Sequence, residues 1–153
     1  MSSRQRTYRF LTAAQIQRLY ITLIADAVPT QPAMLESAVK SPINVRHYTQ
    51  EADIFKLAAV LSEKIMKNHA YADGNKRAAL VAADMFLKIN GYKLQAKVLG
   101  VDHCSEGLAA AHVAVTTGQW DSDSLSRYYR QVATPVGLLT PDIVAIRHHA
   151  AEH

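Results

Sequence analysis

At 153 residues, with 49% hydrophobic and 20% charged residues, the chain suits one compact domain with a real core and is not composed like a disordered segment. Its single cysteine, Cys104, excludes an internal disulfide, and no apolar run approaches the roughly 20 residues of a membrane span. The net charge of +4 and pI near 9.3 favour anionic partners, but the basic residues are scattered and read as a solvated surface. The start, Met1 to Arg6, is basic and leads into no signal-type apolar core, so a cytoplasmic location without membrane contact is expected.

No internal repeat, low-complexity stretch or linker divides the chain, and turn residues cut it into helical pieces. Thr12 caps a first helix whose inward positions are Ile16, Leu19, Tyr20, Leu23 and Ala27, with Pro29 and Pro32 ending it. A short helix over Met34 to Val39 is expected to stop at Ser41-Pro42, and residues 43–50 to form a small β-hairpin. From Glu51 to Asn68, Ile54, Leu57, Ala58, Leu61 and Ile65 line one face of a long helix. A second long helix runs from Asn75 to about Asn90, with Ala79, Leu80, Ala83, Phe86 and Leu87 inward and Gly91 as its left-handed stop. Tyr92 to Leu94 suggests a short extended piece. Helices near Ser105 to Thr117 and Ser122 to Val132 follow, and Thr140-Pro141-Asp142 has the cap, proline and acid of another helix start. The expected class is all-α with a small β-hairpin, in a single domain over 1–153: a core of about 10–130 and a C-terminal tail, 134–153.

The chemistry concentrates between the two long helices, at His69-Ala70-Tyr71-Ala72-Asp73-Gly74-Asn75-Lys76-Arg77. A helix start presents unpaired backbone N–H groups and the positive end of its dipole, which suits an anion. Gly74 lets the backbone turn tightly and approach a ligand closely. Asn75, Lys76 and Arg77 add donors and positive charge where phosphate oxygens would sit. A carboxylate facing phosphates makes sense if a Mg²⁺ ion lies between them, and Asp73 supplies that carboxylate. His69 is the one group in the segment that can take a proton near neutral pH. Tyr71 reads most simply as a hydrophobic peg. Each feature alone is ordinary, a surface histidine or a turn with a helix cap, but the combination at fixed spacing is not.

These residues resemble the signature of the Fic/Doc family, His-x-Phe-x-(Asp/Glu)-(Gly/Ala)-Asn-(Gly/Lys)-Arg, in the version carried by the death-on-curing (Doc) toxins. The resemblance extends to Phe10-Leu11-Thr12, Met34 to Ala38, Ala58-Ala59 and Phe86 to Tyr92, and covers roughly residues 10–130. It implies the mostly helical Fic fold, with the motif loop between two central helices and a flap at residues 41–50 that aligns the target polypeptide. AMP-transferring members have Gly where this chain has Lys76, and a second Arg where it has Leu80. The Lys version is similar to a kinase, in which ATP binds reversed and its γ-phosphate passes to a protein hydroxyl, a threonine of elongation factor Tu being the known target type. By that resemblance His69 is the general base on the target hydroxyl, Asp73 orients Mg²⁺, and Gly74, Asn75, Lys76 and Arg77 hold the phosphates. Gly74 stands where the Doc toxin itself has Ala, and Tyr71 where Phe is usual. Self-restrained members carry Ser/Thr-x-x-x-Glu-Gly/Asn on an inhibitory helix. The near match from Asp102 to Gly107 lacks the initial hydroxyl, so restraint by a separate antitoxin is expected.

AMP transfer to a protein hydroxyl is the alternative activity within the family, and three readings outside it are open. A phosphate-binding P-loop fails, because no Gly stands five residues before Gly74 and no Ser or Thr follows Lys76. A zinc site finds no Cys/His spacing, only the adjacent pair His148-His149 among seven histidines. A basic helical nucleic-acid-binding module accounts for the pI but leaves His69 and Asp73 idle, and nucleic acid is not an expected partner.

Overall fold

A computed structural model of the chain describes residues 6–95 and 103–153, the side chains of 103–105 excepted. The described residues fold as an α-helical bundle. The first strand, β1 (Arg9–Phe10), leads into α1 (Ala13–Leu23), which opens on a capping box: Thr12 Oγ1 accepts from the Gln15 amide at 3.1 Å while Gln15 Oε1 accepts from the Thr12 amide at 3.0 Å. The helix ends at Leu23, ahead of Ala27 and Pro29, because the amides of Ile24 and Ala25 both turn back onto the Tyr20 carbonyl.

The next helix corrects the sequence reading. Residues 43–50 are not a hairpin, and no helix stops at Ser41-Pro42: α2 (Pro32–Thr49) is one 18-residue helix with Pro42 inside it. A mid-helix proline removes one hydrogen bond and crowds the preceding turn, at about 3 kcal/mol. Leu35, Ala38, Val39, Pro42 and Arg46 are buried along one continuous helical face, and that burial offsets the loss. Gln50 then closes the helix in the left-handed region, at φ 58°. The flap placed at 41–50 is therefore helical in this chain.

The centre of the bundle is α3 (Ile54–Asn68) against α4 (Asn75–Lys88). Asp53 caps α3 by accepting from the Phe55 amide, and the expected stripe of Ile54, Leu57, Ala58, Leu61 and Ile65 is buried. In α4 the burial is not a stripe: every residue from Ala78 to Lys88 is buried. Four alanines, at 78, 79, 82 and 83, let neighbouring helices approach from several sides. Gly91 stops the helix region at φ 103°, as its position implies.

After β2 (Tyr92–Lys93) come α5 (His103–Thr116), α6 (Ser122–Val132), β3 (Thr134–Pro135), α7 (Pro141–His149) and β4 (Ala151–Glu152). Asp121 caps α6 and Thr140 caps α7. The strands pair in two antiparallel couples, β1 with β4 and β2 with β3, so residues 134–153 return to the body of the domain rather than trailing from it.

Two buried polar groups are fully occupied. Asp84 takes Lys88 Nζ at 2.7 Å and the amides of Leu94 at 2.9 Å and Gln95 at 3.3 Å, which ties β2 to α4. His112 donates from Nδ1 to the Leu108 carbonyl at 2.7 Å, and its Nε2 lies 2.6 Å from the Tyr129 hydroxyl and 3.0 Å from Ser62 Oγ. No helix among the described residues is long and apolar enough to cross a membrane.

Candidate active site

The motif occupies the turn from α3 to α4, and its shape follows from a few local contacts. His69 is the C-cap of α3 in the left-handed region, φ 50° and ψ 48°, a conformation that costs a non-glycine residue roughly 1–2 kcal/mol. The neighbouring chain holds it there. Gln31 Nε2 donates to the His69 carbonyl at 3.0 Å, the Gln31 amide to the Ala70 carbonyl at 3.0 Å, and Asn68 Nδ2 to the Met34 carbonyl at 2.9 Å. The backbone of His69 is thus fixed while its side chain stands in solvent at the mouth of the loop.

Asn75 closes the turn from the other side. Its Oδ1 accepts from the Tyr71 amide at 3.1 Å and its Nδ2 donates to the Tyr71 carbonyl at 2.9 Å, a two-way bond across four residues. The amide read as a phosphate donor is therefore first a loop clamp. Tyr71 is a peg, as expected: it is buried and stacked on Tyr20 with ring centroids 3.8 Å apart and planes 6° from parallel. Burial, with Tyr20 beside it, pushes the Tyr71 hydroxyl up to about 12, and that oxygen has no partner among the described residues. A phenylalanine would lose nothing by hydrogen bonding at this position.

At the start of α4, Gly74 adopts φ 76° and offers no side chain as a cap. The Thr and Asp residues that cap α1, α3, α6 and α7 have no counterpart here, so the opening amides of α4 carry no side-chain acceptor. Lys76 and Arg77 are exposed on this first turn and form no ion pair among the described residues. The arrangement presents free N–H groups, a dipole end and two cations to one volume of solvent, which is what a polyphosphate requires. Leu80, one turn on, is buried and contributes nothing to that surface.

Asp73 lies at the edge of the same volume. One carboxylate oxygen accepts from the Gly74 amide at 2.8 Å, the side chain is exposed, and the other oxygen has no hydrogen-bond partner among the described residues. No described group of three or more His, Cys, Asp or Glu forms a preassembled cage. One free carboxylate beside a phosphate site nevertheless suits Mg²⁺, which keeps several waters and is commonly held by one or two carboxylates plus substrate phosphates.

The chain has matched sequences that share this region. The model of the Fic/DOC family matches residues 7–87, from β1 through the motif and nearly to the end of α4. This chain belongs to the Fic/DOC family. It is also 41% identical over 64 residues to the Toxin Doc of Mycolicibacterium smegmatis, a match covering 41% of this chain and 49% of that protein. The chain spans about half the length of that curated relative.

Within this Fic/DOC domain the structure brings His69, Asp73, Gly74, Asn75, Lys76 and Arg77 into one turn, as their adjacency demands. Sequence reading missed the supporting residues. Tyr20, taken only as an inward position of α1, donates from its hydroxyl to the Asp73 carbonyl at 2.8 Å. Gln31 and Asn68 also brace the loop, and nothing in their spacing announces it. The inhibitory-helix comparison rests partly on Asp102, which lies outside the described residues.

Proposed function

We propose that this chain is a Doc-like toxin that transfers the γ-phosphate of ATP to a hydroxyl side chain of a target protein. The observation that carries this reading is Lys76, exposed on the uncapped first turn of α4 beside Arg77, with Leu80 buried behind it. An AMP-transferring site has Gly at the position of Lys76, leaving room at the helix start for a phosphate, and an Arg at the position of Leu80. Here a lysine stands in place of that glycine and the second arginine is missing. Both differences disfavour the pose that presents the α-phosphorus and leave the reversed pose, which presents the γ-phosphorus near His69.

In that pose His69 accepts the proton of the target hydroxyl as its oxygen attacks phosphorus. The bond from phosphorus to the bridging oxygen breaks, and ADP leaves. Arg77, Lys76 and the free amides of α4 neutralise the phosphoryl oxygens, and the Asn75 clamp keeps the loop in shape while charge moves. Mg²⁺, held with Asp73, would supply further neutralisation of phosphate charge. The reading extends to a cytoplasmic setting, a separate antitoxin as restraining partner, and arrest of translation through elongation factor Tu, the target type of the Doc version.

The test is incubation of purified protein with cell lysate and ATP labelled at either end. Label should reach a target protein from the γ position and not from the α position, and EDTA should abolish the transfer. Transfer of α-label by the unmodified chain would overturn the kinase reading, and full activity in EDTA would remove the metal.

A further inference from the structure

We propose that Tyr20, on α1 and outside the signature, is the positioning residue of the motif loop and the reason that Gly74 is glycine. Two contacts converge on it. Its ring stacks on Tyr71 at 3.8 Å, and its hydroxyl donates to the Asp73 carbonyl at 2.8 Å, one peptide before the start of α4. Tyr20 is itself buried on α1, in the turn whose carbonyl closes the helix onto Ile24 and Ala25. A single rigid side chain thus fixes two points of the loop, one on each side of Ala72.

The same hydroxyl occupies space that a side chain at Gly74 would need. A Cβ at Gly74 would lie 3.0 Å from Tyr20 Oη, 3.3 Å from Ile24 Cγ2 and 3.4 Å from another atom of the Tyr20 ring. Most of that crowding comes from one residue, and its nearest atom is the one that holds the Asp73 carbonyl. The loop therefore cannot keep the Tyr20 hydrogen bond and accept a Cβ at Gly74 without a shift. The left-handed φ of 76° adds a second, independent cost for any other residue. Tyr20 touches no phosphate in this scheme. It acts through the peptide that carries Asp73 and the first amides of α4, and its effect on transfer rests on the proposed function above.

Tyr20→Phe keeps the ring and the stack and removes only the hydroxyl. Without nucleotide, hydrogen exchange at the Tyr71 and Gly74 amides, which donate to Asn75 Oδ1 and Asp73 Oδ1, should quicken about tenfold, while those of α1 keep their parental protection. The ATP transfer rate should fall roughly 10- to 100-fold from misplacement of the loop, with little change in melting temperature. Gly74→Ala should lower the melting temperature by roughly 5 °C in the parent. The loss should be distinctly smaller in the Tyr20→Phe background, where the closest contact is gone and only the φ cost and the remaining contacts persist. Unchanged exchange at the Tyr71 and Gly74 amides, or an equal Gly74→Ala penalty in both backgrounds, would overturn the role of Tyr20. Exchange and melting need no catalysis, so a parent protein that transfers no label would count against the proposed function alone.

Discussion

His112 and His69 show two uses of one side chain. His112 is buried between α5, α3 and α6, with Leu108, Ser62 and Tyr129 all within hydrogen-bond distance of its ring nitrogens. Burial holds its pKa down to about 4, against the partial support of the Leu108 carbonyl. His69 stands exposed at the left-handed end of α3, with its backbone tied down and its ring open to solvent. The buried cluster has every group satisfied and no route for a substrate, so it specifies packing. The motif loop reverses the pattern: the backbone is constrained, the peg is buried, and the titratable and charged groups are left open. The proposed function draws on unsatisfied groups held on a fixed frame.

The sharpest way to break this contrast is to remove each ring. His69→Ala should cut phosphate transfer by 10²–10⁴-fold, the usual contribution of a general base, and leave urea stability unchanged. Growth arrest at parental strength by this variant would end the role assigned to His69.

The next effect is on acid stability. The unfolded chain takes up a proton at His112 below about pH 6.5, whereas the folded chain resists until about pH 4. The stability that neutral His112 brings is therefore complete above pH 6.5 and is lost as pH falls from there to 4, about 3 kcal/mol in all. Urea midpoints measured from pH 7 to 4.5 should fall more steeply in the parent than in His112→Gln, and equal slopes would contradict the assignment.

A smaller loss should follow from Tyr129→Phe, which removes a buried hydroxyl shared by Ser62 and His112, at roughly 1–2 kcal/mol. Transfer activity should be untouched. The smallest change is Tyr71→Phe: its hydroxyl is buried without a described partner, so the variant should match or slightly exceed the parent in stability and retain activity.

Much of the site was legible because its residues are contiguous, and a loop between two strongly patterned helices has one place to go. The caps at Thr12 and Thr140, the stop at Gly91 and the stripe on α3 could be read for similar reasons, since each rests on local geometry. Residues 41–50 could not be read that way, because a proline in sequence signals a helix end. The helical repeat Leu35, Ala38, Val39, Pro42, Arg46 continues through it, and tertiary burial outweighed the missing bond. Of the strands, β2 is foreshadowed by the extended piece at Tyr92 to Leu94, but its partner and the β1–β4 pair are not, since two-residue strands have no period and each pair joins segments far apart in sequence. Tyr20 was hidden by its own hydrophobicity: a core tyrosine announces its ring and not the partner of its hydroxyl.

For anyone redesigning this domain, α4 offers no slack. It is pinned at its start by the Asn75 clamp and near its end by Asp84, while Asn90 just beyond it donates to the carbonyls of Arg9 and Phe86. Sliding or rotating the helix by one residue would break contacts at both ends at once, and its buried alanines leave no room for larger side chains. The stretch from Ala25 to Val28 is different: it is exposed, and its amides reach only the Tyr20 carbonyl, from Ala25, and the Ala25 carbonyl, from Ala27, among the described residues. Substitutions meant to leave the fold undisturbed belong in that stretch, with the helix left alone.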